Sequence, residues 1–214
     1  MKTEGISPDR VTYACVLKAC GSIGALDKGG EIHDEILNRG LLKESVKLGT
    51  AIVDMYVKCG MLSKAQEVVE ELPVQDAVSW SVLISGYAHQ GRYHEALGCF
   101  EQMQKEELYP DGVTFTCVLM ACGSIGAVYK GKQIHNDIIN RDLLKENVVL
   151  GNALVDMYVK FGMLSKAREV LEELPVQNIV SWNTLITGYV QYNQGHEAMD
   201  CFAKVKQKGI SPDG

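Results

Sequence analysis

The sequence predicts an all-α solenoid, which is an array of antiparallel helical hairpins. Three observations predict it: a long duplicated segment, stretches of helical amphipathic period within each copy, and glycines where one stretch gives way to the next. Each stretch is only about 10 to 14 residues long, a length that is marginal for an isolated helix in water. Stability must therefore come from stacking of the apolar faces on neighbouring hairpins.

The duplication is visible in two pairs of segments. Val11 begins VTYACVLKACGSIGALDKGGEIHDEILNRGLLKE, and Val113 begins its second copy, VTFTCVLMACGSIGAVYKGKQIHNDIINRDLLKE. Asp54 begins DMYVKCGMLSKAQEVVEELPVQ, and Asp156 begins DMYVKFGMLSKAREVLEELPVQ. The offset is 102 residues, and about 60% of the positions agree, which is far above the agreement that shared composition produces.

A period of 102 residues is too long for one solenoid repeat, since these run to about 20 to 50 residues. When Tyr13, Gly49 and Trp80 are aligned as equivalent fourth positions, each copy divides into repeats of 36, 31 and 35 residues. The prediction is a single array over residues 1–214 with six repeats, which are 10–45, 46–76, 77–111, 112–147, 148–178 and 179–213.

Within a repeat, the apolar residues predict two helices. In 46–76 the first stripe is Leu48, Ile52, Met55, Tyr56 and Cys59, and the second is Leu62, Ala65, Val68, Val69 and Leu72. In 77–111 the stripes are Trp80, Leu83, Ile84 and Tyr87, then Ala96, Phe100 and Met103. Gly60 and Gly91 are predicted turns, Ser79 is a predicted N-cap, and residues 21–24 and 123–126 are predicted turns between helices.

Composition limits the function classes. A formal net charge of −6 and a pI near 5.4 argue against coating of nucleic acid through bulk charge, so any nucleic-acid site must be local. No apolar run approaches the ~18 residues of a membrane span, and no membrane partner is predicted. The first residues resemble neither a secretory signal nor a transit peptide. Seven cysteines at repeat-linked spacings do not indicate a disulfide framework.

The sequence predicts no catalytic residue, no metal site and no cofactor. His33-Asp34-Glu35 matches the H-x-E part of the zinc deaminase signature, but no P-C-x-x-C follows, and the second copy reads His135-Asn136-Asp137. The cysteine pairs at 15 and 20 and at 117 and 122 have a spacing that does not bring both thiols to one metal. All four cysteines are therefore predicted to be small buried hydrophobes.

Two segments carry a resemblance to a known family. They are VSWSVLISGYAHQGRYHEALGCFEQMQKEELYPD from Val78 and VSWNTLITGYVQYNQGHEAMDCFAKVKQKGISPD from Val180. Both resemble the motif of pentatricopeptide repeat proteins, and the alternation of repeat lengths resembles the plant subclass with long, short and standard motifs. The resemblance implies a right-handed superhelix in which the first helix of each hairpin lines the concave side.

The same resemblance implies function. Such proteins bind single-stranded RNA with one base per repeat, and the expectation is an organellar RNA editing or processing factor, in a mitochondrion or chloroplast, with editing or processing proteins as further partners. The fifth and last residues of each repeat would read the base. These pairs are Thr50 and Asp76, Ser81 and Asp111, Thr116 and Asn147, Asn152 and Asn178, and Asn183 and Asp213. The first repeat has Ala14 and Ser45, which give no reading.

The chemistry of these pairs is consistent with base reading. Guanine and uracil present a ring N–H that an Asp carboxylate accepts, whereas adenine and cytosine present a bare ring nitrogen to which an Asn amide donates. The resemblance associates Ser or Thr at the fifth position with purines and Asn with pyrimidines. The implied bases, from 5′ to 3′, are G, G, A, C and U for the second to sixth repeats.

Second positions in the family sandwich a base between consecutive repeats. Here they are valine in five repeats, at Val11, Val78, Val113, Val149 and Val180. Lys47 departs from this pattern and, with Lys58 and Lys160, is a candidate for phosphate contact.

Two alternatives stay open. Polar residues at these positions are also what helix N-caps require without any ligand, and a helical-repeat scaffold that binds proteins would show the same periodicity. Self-association through uncapped ends of the array is also predicted.

Overall fold

The computed structural model describes residues 7–145 and 147–210, apart from the side chain of Glu44. The chain divides into two compact halves, Met1–Pro110 and Asp111–Gly214, which are described separately below as the N-terminal half and the C-terminal half. The described residues form twelve α-helices and one 3-10 turn, and no strand. None of the helices in this described part is long and apolar enough for a membrane span.

Each half contains six α-helices. The N-terminal half has α1 (Arg10–Ile23), α2 (Leu26–Asn38), α3 (Val46–Lys58), α4 (Leu62–Glu71), α5 (Ala77–His89) and α6 (Tyr93–Lys105), with the 3-10 turn Leu41–Glu44 between α2 and α3. The C-terminal half has α7 (Gly112–Ile125), α8 (Val128–Asn140), α9 (Val148–Lys160), α10 (Leu164–Glu173), α11 (Ile179–Gln191) and α12 (Gly195–Gln207).

Consecutive helices pair as hairpins, and the hairpins stack through their first members. We call the odd-numbered helices A helices and the even-numbered ones B helices. In the N-terminal half, α3 packs against both α1 and α5, and in the C-terminal half α9 packs against both α7 and α11. The predicted fold class, an all-α solenoid of antiparallel helical hairpins, is confirmed. The boundaries of the six repeats stay a prediction.

The apolar stripes form the core of each half. Trp80, Leu83, Ile84 and Tyr87 on α5 are each no more than 1% exposed, and Phe100 and Met103 on α6 are fully buried. Burial of one such side chain stabilises the fold by about 1.5–3 kcal/mol. The stripes inferred from the 3.6-residue period are therefore the faces that the hairpins bury against each other.

Two local predictions are wrong. Ser79 lies inside α5, and Asp76 is the N-cap because its carboxylate accepts hydrogen bonds from the backbone N–H groups of Val78 and Ser79. Residues 21–23 and 123–125 belong to α1 and α7, so the turn is reduced to Gly24 and Gly126. Both glycines have a positive φ, of 67° and 69°, in the left-handed region where a side chain is strained.

The cysteine prediction is correct at three positions of four. Cys20, Cys117 and Cys122 are buried, whereas Cys15 is exposed. Cys15 lies on α1, which no earlier helix covers in the described residues. Burial raises the pKa of the Cys122 thiol to about 11 and that of Cys99 to about 12, so both thiols stay protonated near neutral pH.

One histidine lies between hairpins in each half, and it is buried at His33 and half-buried at His135. His33 Nδ1 of α2 is 3.2 Å from the hydroxyl of Tyr56 on α3, and His135 Nδ1 of α8 is 2.8 Å from the hydroxyl of Tyr158 on α9. Desolvation by burial lowers the pKa of both imidazoles from 6.5. His33, the histidine of the H-x-E match, therefore packs inside a helical stack and contacts a tyrosine.

This arrangement predicts a pH dependence of stability. Below pH 6.5 the unfolded chain binds protons that the folded chain does not bind. The free energy of unfolding therefore decreases as the pH is lowered, by at most about 1.4 kcal/mol per histidine for each pH unit. A double variant, His33→Gln and His135→Gln, is expected to lose this part of the slope, because glutamine still reaches a hydroxyl but does not titrate. Urea unfolding at pH 7.5, 6.5 and 5.5 measures it, and equal slopes in the two proteins would contradict the assignment.

Candidate nucleic-acid interface

The last residue of four predicted repeats caps the A helix of the next repeat, and Asp9 caps the first A helix, whereas Ser45 before α3 makes no side-chain cap bond. The caps of α1, α5, α7, α9 and α11 are Asp9, Asp76, Asp111, Asn147 and Asn178, and in each case a side-chain oxygen accepts a backbone N–H of the first helical turn. In an Asp or Asn side chain, only an oxygen atom can accept such a hydrogen bond. The bonds to the backbone therefore use one oxygen of each cap, and the second carboxylate oxygen of each Asp and the NH₂ group of each Asn are left for other partners.

The fifth and last residues of repeat 46–76 lie together. Asp76 Oδ1 accepts from the backbone of Val78 at 2.9 Å and of Ser79 at 3.1 Å. Asp76 Oδ2 accepts from the Ser79 hydroxyl at 2.7 Å and lies 3.5 Å from Thr50 Oγ1, which is itself 3.0 Å from Ser79 Oγ. The carboxylate is thus held by the cap while its second oxygen faces the Thr50 hydroxyl of the preceding A helix.

A hydroxyl that the sequence did not predict orients four of the five caps. The residue three after the cap is Thr12, Ser79, Thr114 or Ser181, and its hydroxyl donates to the capping side chain at 2.7 to 3.2 Å. Ser79, Thr114 and Ser181 are completely buried. The signal was present as Ser or Thr three residues after each of these Asp or Asn residues, but at Ser79 it was interpreted as the cap itself.

The fifth and last residues of repeat 112–147, Thr116 and Asn147, lie near each other without a direct hydrogen bond in the described residues. A methyl group built at Gly112 would lie 2.2 Å from Asn147 Nδ2, and Thr116 Oγ1 donates to the Gly112 carbonyl at 2.8 Å. The fifth and last residues of repeat 112–147 therefore both contact the start of α7. Asn147 Oδ1, in turn, accepts from the backbone N–H of Leu150 at 2.9 Å.

In repeat 148–178 the pair is not joined by a hydrogen bond in the described residues. Asn178 Oδ1 accepts from the backbone of Ser181 at 3.0 Å, while Asn152 Oδ1 is buried without a partner in the part of the chain that the structure describes. Asn183 is exposed on α11, and its predicted partner Asp213 lies outside the described residues. Ser81 belongs to the N-terminal half and Asp111 to the C-terminal half.

The second-position valines share one property, which is exposure near the start of an A helix. Between 54% and 69% of each residue is exposed, at Val11, Val78, Val113, Val149 and Val180. More than half of the surface of a valine stays exposed at the same place in five A helices, so these side chains are available to pack against the flat face of a ligand.

The three candidate lysines differ in their partners. Lys47 is exposed near the start of α3. Lys58 Nζ lies 2.8 Å from Asp54 Oδ2, and Lys160 Nζ lies 2.9 Å from Asp156 Oδ2. Both pairs have i, i+4 spacing and stay partly exposed, so the carboxylates partly neutralise the charge that a phosphate would meet.

An open cleft in the C-terminal half brings three predicted residues together. It has a volume of about 480 Å³ between α9 and α11, and its walls include Lys160, Val180 and Asn183. A lysine, an exposed valine and a carboxamide in one cleft supply a cation, an apolar surface and hydrogen-bonding groups. These are the groups that bind the phosphate, the face and the edge of a nucleotide.

Comparison with known proteins gives the chain a family. Two family models match it, one described as PPR repeat family over residues 75–124 and 177–214, and one described as PPR repeat over residues 11–41, 50–75 and 152–179. Together they match most of the chain.

Curated relatives in Arabidopsis thaliana extend the match to nearly the whole chain. Pentatricopeptide repeat-containing protein At4g38010 is 39% identical over 97% of this chain, and At4g25270, named chloroplastic, is 38% identical over 94% of it. At1g06140, named mitochondrial, is 33% identical over 100% of it. The chain spans 37% to 38% of the length of these three relatives.

Solved structures share the fold. The crystal structure of the pentatricopeptide repeat protein PPR10 from maize superposes with a TM-score of 0.81 at 23% identity, covering 99% of this chain and 31% of PPR10. PPR10 in complex with an 18-nt psaJ RNA element superposes with a TM-score of 0.69 at 24% identity, covering 99% and 32%. With the matches of both repeat models and of the relatives, this places the chain in the pentatricopeptide repeat family.

Proposed function

We propose that this chain binds single-stranded RNA along the N-terminal ends of its A helices, with one base per repeat. The observation that carries the proposal is the meeting of Thr50 and Asp76, because two residues 26 positions apart place a hydroxyl and a carboxylate oxygen 3.5 Å from each other. PPR10, which shares the fold, has been solved with an RNA element.

Capping explains how a last residue presents one kind of atom to a base. Asp76 uses Oδ1 for the helix and keeps Oδ2 as an acceptor, which suits the ring N–H of guanine. Asn178 uses Oδ1 for the helix and keeps Nδ2 as a donor, which suits the bare ring nitrogen of cytosine. The N-cap alternative and the base-reading role are therefore compatible, since they use different atoms of one side chain.

The remaining predicted residues complete a binding surface. The exposed valines supply the apolar faces between which bases would be sandwiched. Lys47 carries no ion pair in the described residues and is the strongest candidate for phosphate contact. Lys58 and Lys160 would contribute after partial release from Asp54 and Asp156.

We also propose a subclass within the repeat family and a cellular role for this chain. The repeat lengths of 36, 31 and 35 residues support the six proposed repeats and the subclass with long, short and standard motifs. Relatives named chloroplastic and mitochondrial support a role in an organellar RNA editing or processing factor, with proteins of that process as partners. This chain would supply RNA selection and no catalysis.

Self-association is a further proposal of the same kind. Val11 and Ile23 on α1 are 69% and 79% exposed, and Met199 and Phe202 on α12 are 66% and 40% exposed. Exposed apolar surface on α1 and α12 favours contact between copies. Sedimentation at several concentrations tests it, and a constant monomer mass would contradict it.

The proposal predicts a change of base preference on replacing one side chain. Asn183→Thr exchanges the pyrimidine-associated residue of the sixth repeat for a purine-associated one, so the preferred base is expected to change from U to G. A shift of about fivefold, or roughly 1 kcal/mol, is expected in the affinity ratio of GGACU to GGACG by fluorescence anisotropy. The same change at Asn136, which is exposed on the B helix α8 of the same half, is the matched control. If the ratio is unaltered, position 183 does not read a base.

A further inference from the structure

A second cleft lies between B helices of the N-terminal half, and it is lined by none of the residues assigned to RNA. This α4/α6 cleft has a volume of about 610 Å³ and includes Glu70 of α4, Gln75, Trp80, and Gly98, Gln102 and Glu106 at α6. A methyl group built at Gly98 would meet no atom within 4 Å. The cleft is therefore open at the α6 wall.

Hydrogen bonds hold the polar groups of the α4/α6 cleft in place. Trp80 Nε1 donates to Gln75 Oε1 at 3.2 Å, and Gln102 Nε2 donates to Glu106 Oε1 at 2.7 Å. Glu70 Oε1 accepts from Gln66 Nε2 at 2.8 Å. Both glutamates thus have neutral amide neighbours, and the eight residues that line this cleft include no lysine or arginine.

In the second copy of the duplicated segment, some of the positions equivalent to those of the α4/α6 cleft carry lysine or arginine. At the offset of 102 residues, Gln66 becomes Arg168, Gln102 becomes Lys204 and Glu106 becomes Lys208. The acceptors are kept, since Glu70 becomes Glu172 and Gln75 becomes Gln177.

In the C-terminal half these lysine and arginine side chains bind the two acceptor residues that both copies share, which are Glu172 and Gln177 here. Lys204 Nζ lies 2.6 Å and Arg168 Nε lies 3.1 Å from Glu172 Oε1. Lys208 Nζ donates to Gln177 Oε1 at 2.7 Å and lies 5.8 Å from the centroid of the Trp182 ring. The hydrogen bond from Lys204 also lowers the pKa of the Glu172 carboxyl. The second copy therefore shows, within one molecule, that this arrangement of acceptors binds ammonium and guanidinium groups.

From this comparison we infer that the α4/α6 cleft binds a lysine or arginine side chain of a partner protein. The incoming cation takes the place that Lys204 and Lys208 take in the second copy, with the exposed Glu70 carboxylate and the half-buried Gln75 amide oxygen as its contacts. The partner contributes a basic segment, because the cleft presents two carboxylates and needs a cation to match them. The residues of this site differ from those assigned to the RNA interface, so variants of one site leave the side chains of the other in place.

A peptide titration tests the inference on the whole chain. The probe is the peptide acetyl-GGKGRGG-amide, and its neutral control replaces Lys by norleucine and Arg by citrulline. Amide signals of Gln75 and Gln102 and the indole N–H signal of Trp80 are followed by NMR. We expect saturable shifts of these signals with the basic peptide, and none with the neutral one.

Two matched variants exploit the duplication. Gln66→Arg, Gln102→Lys and Glu106→Lys together copy the second cleft into the first and are expected to weaken peptide binding at least tenfold, that is, by at least about 1.4 kcal/mol. Arg168→Gln, Lys204→Gln and Lys208→Glu together copy the first cleft into the second and are expected to move the indole signal of Trp182 as well. Glu67→Gln, which removes a charge from α4 outside the cleft, is expected to leave binding unchanged.

Several outcomes would overturn the inference. Unchanged binding in the first variant, with its urea unfolding curve intact, would show that the peptide binds elsewhere. Equal binding of the neutral peptide would remove the role of the cation. Movement of the same signals by Mg²⁺ or by GGACU, with no response to the basic peptide, would assign the cleft to a metal or to RNA instead.

Discussion

An Asp76→Asn variant is expected to prefer RNA with adenine at the position read by repeat 46–76, where the parent prefers guanine. The helix cap survives, because Asn accepts the N–H groups of Val78 and Ser79 through its amide oxygen as well as Asp does. The outward atom changes from an acceptor to a donor, and the Ser79 hydroxyl can rotate to accept from it. A reversal of at least about tenfold in the affinity ratio of GGACU to AGACU is expected.

Anisotropy titrations with the two RNAs measure this reversal, and Asp76→Ala is the matched control. Alanine removes both the cap, which costs about 1 kcal/mol, and the reading atom. It should therefore lower the discrimination between the two RNAs without reversing it. A parent-like ratio in Asp76→Asn would mean that this side chain serves the helix alone.

Gly86→Ala and Gly98→Ala are expected to change stability in opposite directions. Both glycines lie within helices, where alanine is favoured by about 0.5–1 kcal/mol. At Gly86 on α5 the new methyl group would lie 2.6 Å from Val57 Cγ1 and 3.0 Å from Leu62 Cδ2, whereas at Gly98 it would meet nothing within 4 Å. Overpacking at Gly86 should lower the free energy of unfolding by about 1–3 kcal/mol, and Gly98→Ala should raise it.

Urea unfolding of both variants measures the two changes in the free energy of unfolding. The second copy of the duplicated segment allows the same test at an equivalent glycine. A methyl group at Gly188 on α11 would lie 2.6 Å from Val159 Cγ1, so Gly188→Ala should also destabilise. If Gly86→Ala and Gly98→Ala both stabilised the chain, the close approach of consecutive A helices at Gly86 would not be a source of stability.

The hairpins could be predicted because their signal is periodic. Buried residues such as Trp80, Leu83 and Tyr87 recur at helical spacing whatever the neighbours are. Cys15 could not be assigned in the same way, because it has the sequence context of Cys117 and differs in exposure. Periodicity identifies the face of a helix, but the helices that surround it decide whether that face is covered.

The candidate site could be predicted by position but not by geometry. The register of the repeats located Thr50 and Asp76, yet their separation depends on the stacking of α3 on α5. The cap was assigned to Ser79 because Asp76 and Ser79 are both good capping residues and backbone angles are not visible in a sequence. The ion pairs of Lys58 and Lys160 were detectable, since Asp four residues before Lys on a helix is a known pairing.

The most direct test of the central claim is a titration of the whole chain with labelled GGACU RNA in low salt, against a scrambled RNA and the DNA of the same sequence. Binding of the cognate RNA with clear preference over both competitors is predicted, because the fifth and last residues of five repeats are proposed to read its bases. Equal binding of all three oligonucleotides, or binding of none, would contradict the claim that this array reads single-stranded RNA.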